Sequence, residues 1–111
     1  MTENNSYKEY TDFIMDKTVT LLGIDSPTGY TEDAAAWVKS EFEALGFHAH
    51  ITGKGGVLIE LGGKGKEDGL FLEAHTDTLG AMVASIKSSG RLLVTPLGGM
   101  NANNAETENV R

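Results

Sequence analysis

A histidine and an aspartate two positions apart are the residues of this sequence best suited to chemistry. His75 and Asp77 come shortly after an apolar run at residues 70–72. In open α/β sheets the carboxyl ends of buried strands open onto the binding crevice, so a histidine leaving such a strand is placed to meet a metal or a substrate. The Asp77 carboxylate can accept the imidazole N–H, which fixes the tautomer and raises the basicity of the other ring nitrogen. The pair therefore has the arrangement that a metal ligand and its hydrogen-bond partner need.

The same two residues also fit a purely structural role. His75 could be a hydrogen-bonded histidine at a strand end and Asp77 a turn residue, and the spacing alone favours that interpretation. His48 and His50 would share one face of another strand and could hold a metal, but no carboxylate lies near them in sequence and a solvent-facing alternation explains them equally well. For both pairs, the spacing alone does not decide between a metal site and a role without metal.

The glycine-rich stretch at residues 53–69 invites comparison with a phosphate-binding loop. No glycine lies five residues before Gly65, and Glu67 stands where that motif requires serine or threonine. No helix is predicted to follow either. Turns between strands explain the glycines better than phosphate binding does.

Two helices and five strands are predicted to position these residues. Apolar residues recur at helical spacing over residues 7–22, and Gly23 ends that helix. A second helix is predicted between Thr31, whose hydroxyl can cap it, and Gly46, which ends it. The strands are predicted at residues 47–51, 57–61, 70–72, 81–87 and 91–97, and the run at 70–72 suits a buried central strand. The fold class is α/β, with two N-terminal helices packed on a mixed β-sheet.

Composition limits the classes of function. The 111 residues are enough for one domain, and a net charge of -7 opposes binding to nucleic acid or to an anionic membrane surface. Cysteine is absent, so any metal must use histidine or carboxylate ligands. No secretory or membrane-spanning segment is recognisable, which makes the cytoplasm the expected compartment.

Several segments, in the same order along the chain, resemble metallopeptidase family forty-two, the glutamyl and tetrahedral aminopeptidases. They are SPTGYTE at 26–32, LGF at 45–47, AHTDTLGAMV at 74–83, GRL at 90–92 and LGG at 97–99. The resemblance implies that residues 1–111 form a single unit, the N-terminal part of a zinc-peptidase-like catalytic domain. It also implies an activity, the removal of N-terminal residues from peptide substrates.

The resemblance assigns roles to the histidine and the aspartate. His75 would be the first ligand of a centre of two divalent metal ions, zinc or cobalt, and Asp77 would serve catalysis by orienting it rather than by binding metal. The family's other ligands and its glutamate base would lie beyond position 111. We therefore expect the chain alone to bind metal weakly at most and to be inactive.

Two other hypotheses stay open on the sequence. A carboxypeptidase or deacetylase of the related peptidase family twenty also uses this histidine–aspartate pair after a buried strand, although the sequence GAMV at 80–83 disfavours it. A non-catalytic interaction module, with a structural His75, is the second. Incomplete coverage of the sheet further predicts self-association through an exposed sheet edge.

Overall fold

The second helix and the hairpin that follows it form the best-packed part of the chain. The computed structural model describes residues 3–65 and 67–110. Helix α2 (Glu32–Ala44) packs against strand β1 (His48–Ile51), which pairs antiparallel with β2 (Val57–Glu60). The buried apolar residues among those described are three alanines, Ala34 and Ala35 on the helix and Ala49 on β1. Their small side chains let the helix lie close to the strand.

The end of α2 shows why the chain turns into β1. Gly46 has φ +88°, a left-handed conformation in which glycine carries no steric cost. The amide of Gly46 donates to the carbonyl of Glu43 at 2.9 Å, and the amide of Phe47 donates to the carbonyl of Phe42 at 3.0 Å. The rings of Phe42 and Phe47 meet edge to face, with centroids 6.3 Å apart. These contacts form a Schellman motif with its apolar contact, so the predicted stop at Gly46 is confirmed.

The first helix, α1 (Glu3–Leu22), confirms the helix predicted over residues 7–22 but not the packing expected of it. Among the described elements, α1 contacts α2 and neither sheet. Lys17 Nζ on α1 lies 2.6 Å from Glu41 Oε2 on α2. Tyr7, Tyr10 and Ile14, which are among its apolar residues at helical spacing, are 73%, 68% and 59% exposed. This ion pair joins the first helix to the second, while much of the apolar surface of the first helix stays exposed.

The strands form two separate sheets rather than the one mixed sheet that was expected. Strand β3 (Gly80–Ile86) pairs antiparallel with β4 (Leu92–Leu97), with an irregular register between Val83 and Ser85. Within residues 3–65 and 67–110, strands β1 and β2 form one two-stranded sheet, and strands β3 and β4 form another. The α/β class is confirmed, and the strands predicted at residues 47–51, 57–61, 81–87 and 91–97 are present within one residue at each end. A short 3₁₀ helix, Ala102–Asn104, follows β4.

The central strand predicted at residues 70–72 is wrong. Leu70, Phe71 and Leu72 belong to no strand and are 87%, 73% and 71% exposed. An apolar run becomes a buried strand only where another strand completes its hydrogen bonds, and no strand in the described part of the chain pairs with this run. The radius of gyration is 18.9 Å, against about 13 Å for a compact domain of this size, so the apolar surface is spread over an elongated body.

The hydroxyl cap predicted for α2 is also absent. Thr31 stands at the N-cap position, and its carbonyl accepts the first bond of the helix, from the amide of Ala35 at 2.9 Å, but its side chain makes no capping hydrogen bond. None of the described helices has the length and apolar character needed to cross a bilayer.

Candidate functional site

The loop between the two helices docks beside the segment that carries the histidine and the aspartate. The amide of Thr78 donates to the carbonyl of Ser26 at 2.7 Å, and Pro27 and Thr78 form a single parallel bridge. Tyr30 closes the loop by donating its amide to the carbonyl of Pro27 at 2.8 Å. Ser26 is 2% exposed, which makes it one of the most buried residues described. Residues 26–30 therefore lie at a fixed place next to residues 77–80.

A glycine makes this close approach possible. A Cβ atom built on Gly80 would lie 2.7 Å from Pro27 Cβ and 3.8 Å from both Cα and Cγ of the same proline. The first distance is well inside the carbon–carbon contact distance of about 3.5–4.0 Å. Any larger residue at position 80 must therefore displace the loop or the start of β3.

His75 is oriented by two oxygen atoms of Asp77. Its Nδ1 lies 3.0 Å from Asp77 Oδ1 and 3.1 Å from the Asp77 carbonyl oxygen. Both oxygens can only accept at neutral pH, so Nδ1 must be the protonated nitrogen. In the neutral imidazole the lone pair is then on Nε2, which has no hydrogen-bond partner among the described residues. The side chain is 86% exposed, which leaves Nε2 accessible to a metal ion.

The Asp77 carboxylate divides its two oxygens between two partners. Oδ1 accepts from His75, and Oδ2 accepts from the Thr28 hydroxyl at 2.7 Å. The hydrogen bond from Thr28 holds the pKa of the Asp77 carboxyl below its usual range, partial desolvation opposes that effect, and His75 adds to the lowering. Asp77 is therefore a carboxylate at neutral pH, with both oxygens engaged.

The structure places the two predicted site residues together and adds a third. His75 and Asp77 form the predicted hydrogen bond. Thr28 lies 49 positions away from Asp77 in sequence and was not predicted as a site residue. The signal that could have found it was its place in the segment at 26–32, one of those carrying the family resemblance.

The remaining histidines do not join this site. His48 and His50 lie on β1 with ring centroids 6.2 Å apart, on the face opposite the buried Ala49, as the alternating pattern predicted. Within the described ranges, no group of three or more histidine, cysteine, aspartate or glutamate side chains could hold a metal ion. His75 could therefore supply one ligand to a metal ion. The further ligands that a metal ion needs are not found around it among the described residues.

The family profile of the M42 glutamyl aminopeptidases matches residues 55–111, a stretch that includes His75 and Asp77. The chain belongs to this M42 family. The match confirms the resemblance seen in the sequence and selects this family over the related family twenty.

Two curated relatives resemble most of this M42 chain. A Bacillus subtilis protein named aminopeptidase YhfE is 38% identical over 88 residues, which cover 79% of the chain and 25% of the relative. The glutamyl aminopeptidase of Lactococcus lactis is 32% identical over 89 residues, covering 79% of the chain and 25% of that enzyme. The M42 chain thus spans about a quarter of the length of the curated relatives it matches.

Proposed function

We propose that the chain supplies one metal ligand, His75, to the active site of a metal-dependent aminopeptidase. The observation that carries the proposal is the pair of acceptors at Nδ1, because they leave the Nε2 lone pair free and exposed. Neutral imidazole is the form of histidine that binds metals, and a carboxylate on its other nitrogen is the usual partner of a metal-binding histidine. Membership of the M42 family supports metal dependence.

The family resemblance extends this proposal to a centre of two divalent ions, zinc or cobalt. Such a pair supplies an activated water and polarises the scissile carbonyl of a peptide. The chain's own contribution is a ligand held in one tautomer and one orientation. A hydrolytic metal normally keeps three protein ligands, and the described residues bring one to this place, so we expect no peptidase activity from the 111 residues alone.

A calorimetric titration tests the ligand role. Zinc or cobalt should bind the chain weakly, and His75→Ala should abolish that binding. His50→Ala is the matched control, because it removes an exposed histidine from β1 and should leave this binding unchanged. Metal binding that survives in His75→Ala would contradict the proposal.

A chimera tests the activity. The chain would replace the matching quarter of the Lactococcus lactis glutamyl aminopeptidase, and hydrolysis of a glutamyl anilide would be measured. The chimera should be active, and His75→Ala should reduce its kcat/KM by about 100-fold or more, as loss of a metal ligand requires. A folded chimera that stays fully active with His75→Ala refutes the assignment. A folded, metal-loaded chimera without activity would favour an interaction module instead.

The remaining parts of the proposal follow from charge and family. A peptide is the proposed substrate, in keeping with the names of the two relatives. The net charge of -7 opposes association with nucleic acid and with anionic membranes, and the cytoplasm is the proposed compartment.

A further inference from the structure

The hydroxyl of Thr28 reaches Asp77 from a loop that no role described so far uses. We propose that Thr28 is a positioning residue, which locks the Asp77 carboxylate in one rotation and thereby holds the His75 ring ready to bind a metal. The inference rests on the proposed function for its purpose. Its geometry, however, can be tested without any metal.

Hydrogen bonds hold both oxygens of the Asp77 carboxylate. The terminal torsion of a carboxylate has a broad, nearly two-fold energy profile, so a single hydrogen bond to His75 would leave the group free to rock or to exchange its oxygens. The Thr28 hydroxyl lies 2.7 Å from Oδ2 while His75 Nδ1 lies 3.0 Å from Oδ1. With one partner on each oxygen, the plane of the carboxylate is fixed, and so is the direction from which it accepts the imidazole proton.

Contacts other than this hydroxyl hold the loop that carries Thr28 in place. The Thr78 amide is bound to the Ser26 carbonyl, the turn from Pro27 to Tyr30 is closed by its own hydrogen bond, and Gly80 packs directly on Pro27. Threonine is also stiff at χ1 because it is branched at Cβ. Removal of the hydroxyl should therefore leave the loop docked and release only the carboxylate.

The position of the Asp77 carboxylate affects the tautomer of His75. In water, free imidazole distributes its proton over both nitrogens, and only the form protonated at Nδ1 offers Nε2 to a metal. The Asp77 carboxylate and the Asp77 carbonyl oxygen both favour that form, and of the two only the carboxylate is restrained by Thr28. If Thr28 no longer restrains Asp77, the fraction of His75 protonated at Nε2 should rise and the affinity of Nε2 for metal should fall.

The test uses the 111-residue chain and the matched pair Thr28→Val and Thr28→Ser. Valine keeps the shape of threonine and removes the hydroxyl, whereas serine keeps the hydroxyl and removes the methyl group. Imidazole ¹⁵N chemical shifts at neutral pH report the tautomer of His75, and amide shifts of residues 78–80 report whether the loop stays docked. We expect a larger Nε2-protonated fraction in Thr28→Val and the wild-type tautomer in Thr28→Ser.

Zinc affinity gives the second readout. Loss of a residue that directly orients a metal ligand typically costs 10–100-fold in affinity, and Thr28 acts one residue further away, so we expect a loss of about 3- to 10-fold in Thr28→Val. Thr28→Ser should restore it. A role confined to the stability of the loop would instead show as shifted amides of residues 78–80 in Thr28→Val, and we expect those amides to stay unchanged.

Distinct results overturn the two proposals. An unchanged His75 tautomer in a folded Thr28→Val, or a serine variant that behaves as valine does, would overturn the role of Thr28. Zinc binding that does not depend on His75 would instead overturn the proposed function. If Thr28→Val fails to fold, Thr28→Ala, which also lacks the hydroxyl, is compared with Thr28→Ser in its place, and the same results support or overturn the role of Thr28.

Discussion

Replacement of Gly80 by alanine should undock the loop that carries Thr28. The new Cβ would lie 2.7 Å from Pro27 Cβ, and an ordinary contact needs about 3.5 Å, so one of the two segments must move by about 0.8 Å. The Thr78–Ser26 and Thr28–Asp77 hydrogen bonds, both 2.7 Å, span the same junction and would be stretched toward the limit of hydrogen bonding. Overpacking of this kind costs about 1–3 kcal/mol.

That cost corresponds to a reduction of about 5- to 150-fold in the ratio of docked to undocked loop. Hydrogen exchange at the Thr78 amide, followed by NMR, measures the ratio directly, because this amide is protected by Ser26 only while the loop is docked. Exchange in Gly80→Ala should accelerate by that factor, while amides of the β1–β2 hairpin keep their rates.

Gly99→Ala is the matched control for this substitution. A Cβ on Gly99 meets nothing within 4 Å, so Thr78 should exchange there at the wild-type rate. If Gly80→Ala leaves the Thr78 amide as protected as in the wild type, the close contact with Pro27 does not hold the loop and the reasoning fails.

Three further predictions concern the rest of the chain. Gly46→Ala should destabilise helix α2 and the β1–β2 hairpin by about 1–2 kcal/mol, because the φ of Gly46 is +88°. Gly53→Ala should not, because a Cβ there meets no atom within 4 Å. Urea unfolding followed by circular dichroism measures the stability of both variants. The hydrogen bond to Glu41 raises the pKa of Lys17, so the contact between α1 and α2 should persist at neutral pH and weaken as the pH rises through that raised pKa. The amide chemical shifts of both helices should therefore change at high pH in the wild type. In Lys17→Met the same changes should be present already at neutral pH. Phe71→Asp should lower self-association in sedimentation velocity experiments, and equal sedimentation of the two proteins would exclude the exposed run at 70–72 as the cause.

Local signals in the sequence predicted the elements with short-range causes. The stop at Gly46 depends on one left-handed residue, and the turn at Gly90, with φ +80°, joins β3 to β4 as the strand pattern indicated. The contact between His75 and Asp77 was predictable for the same reason, since two positions in one segment determine it.

Long-range pairing could not be predicted in this way. The apolar run at 70–72 has the composition of a buried strand, but composition does not show which strand would pair with it. A hydroxyl such as that of Thr28 has many permitted uses in a loop, and only the fold brings it to Asp77. The two sheets likewise differ from the expected single sheet because alternation determines which face of a strand is apolar and not which strands are neighbours.

The 49-residue separation of Thr28 and Asp77 also has a consequence for the order of folding. Contacts between distant positions require closure of a long chain segment, whose entropy must be lost before the contact forms, so they arise later than helices and hairpins. During synthesis, Thr28 leaves the ribosome well before Asp77, so their hydrogen bond can form only after Asp77 has emerged as well. His75 therefore acquires its fixed orientation only after α2 and the β1–β2 hairpin, both encoded between the two residues, have been made. Formation of the Thr28–Asp77 contact would be a late marker of folding, and a metal that needs an oriented His75 would be bound after that point.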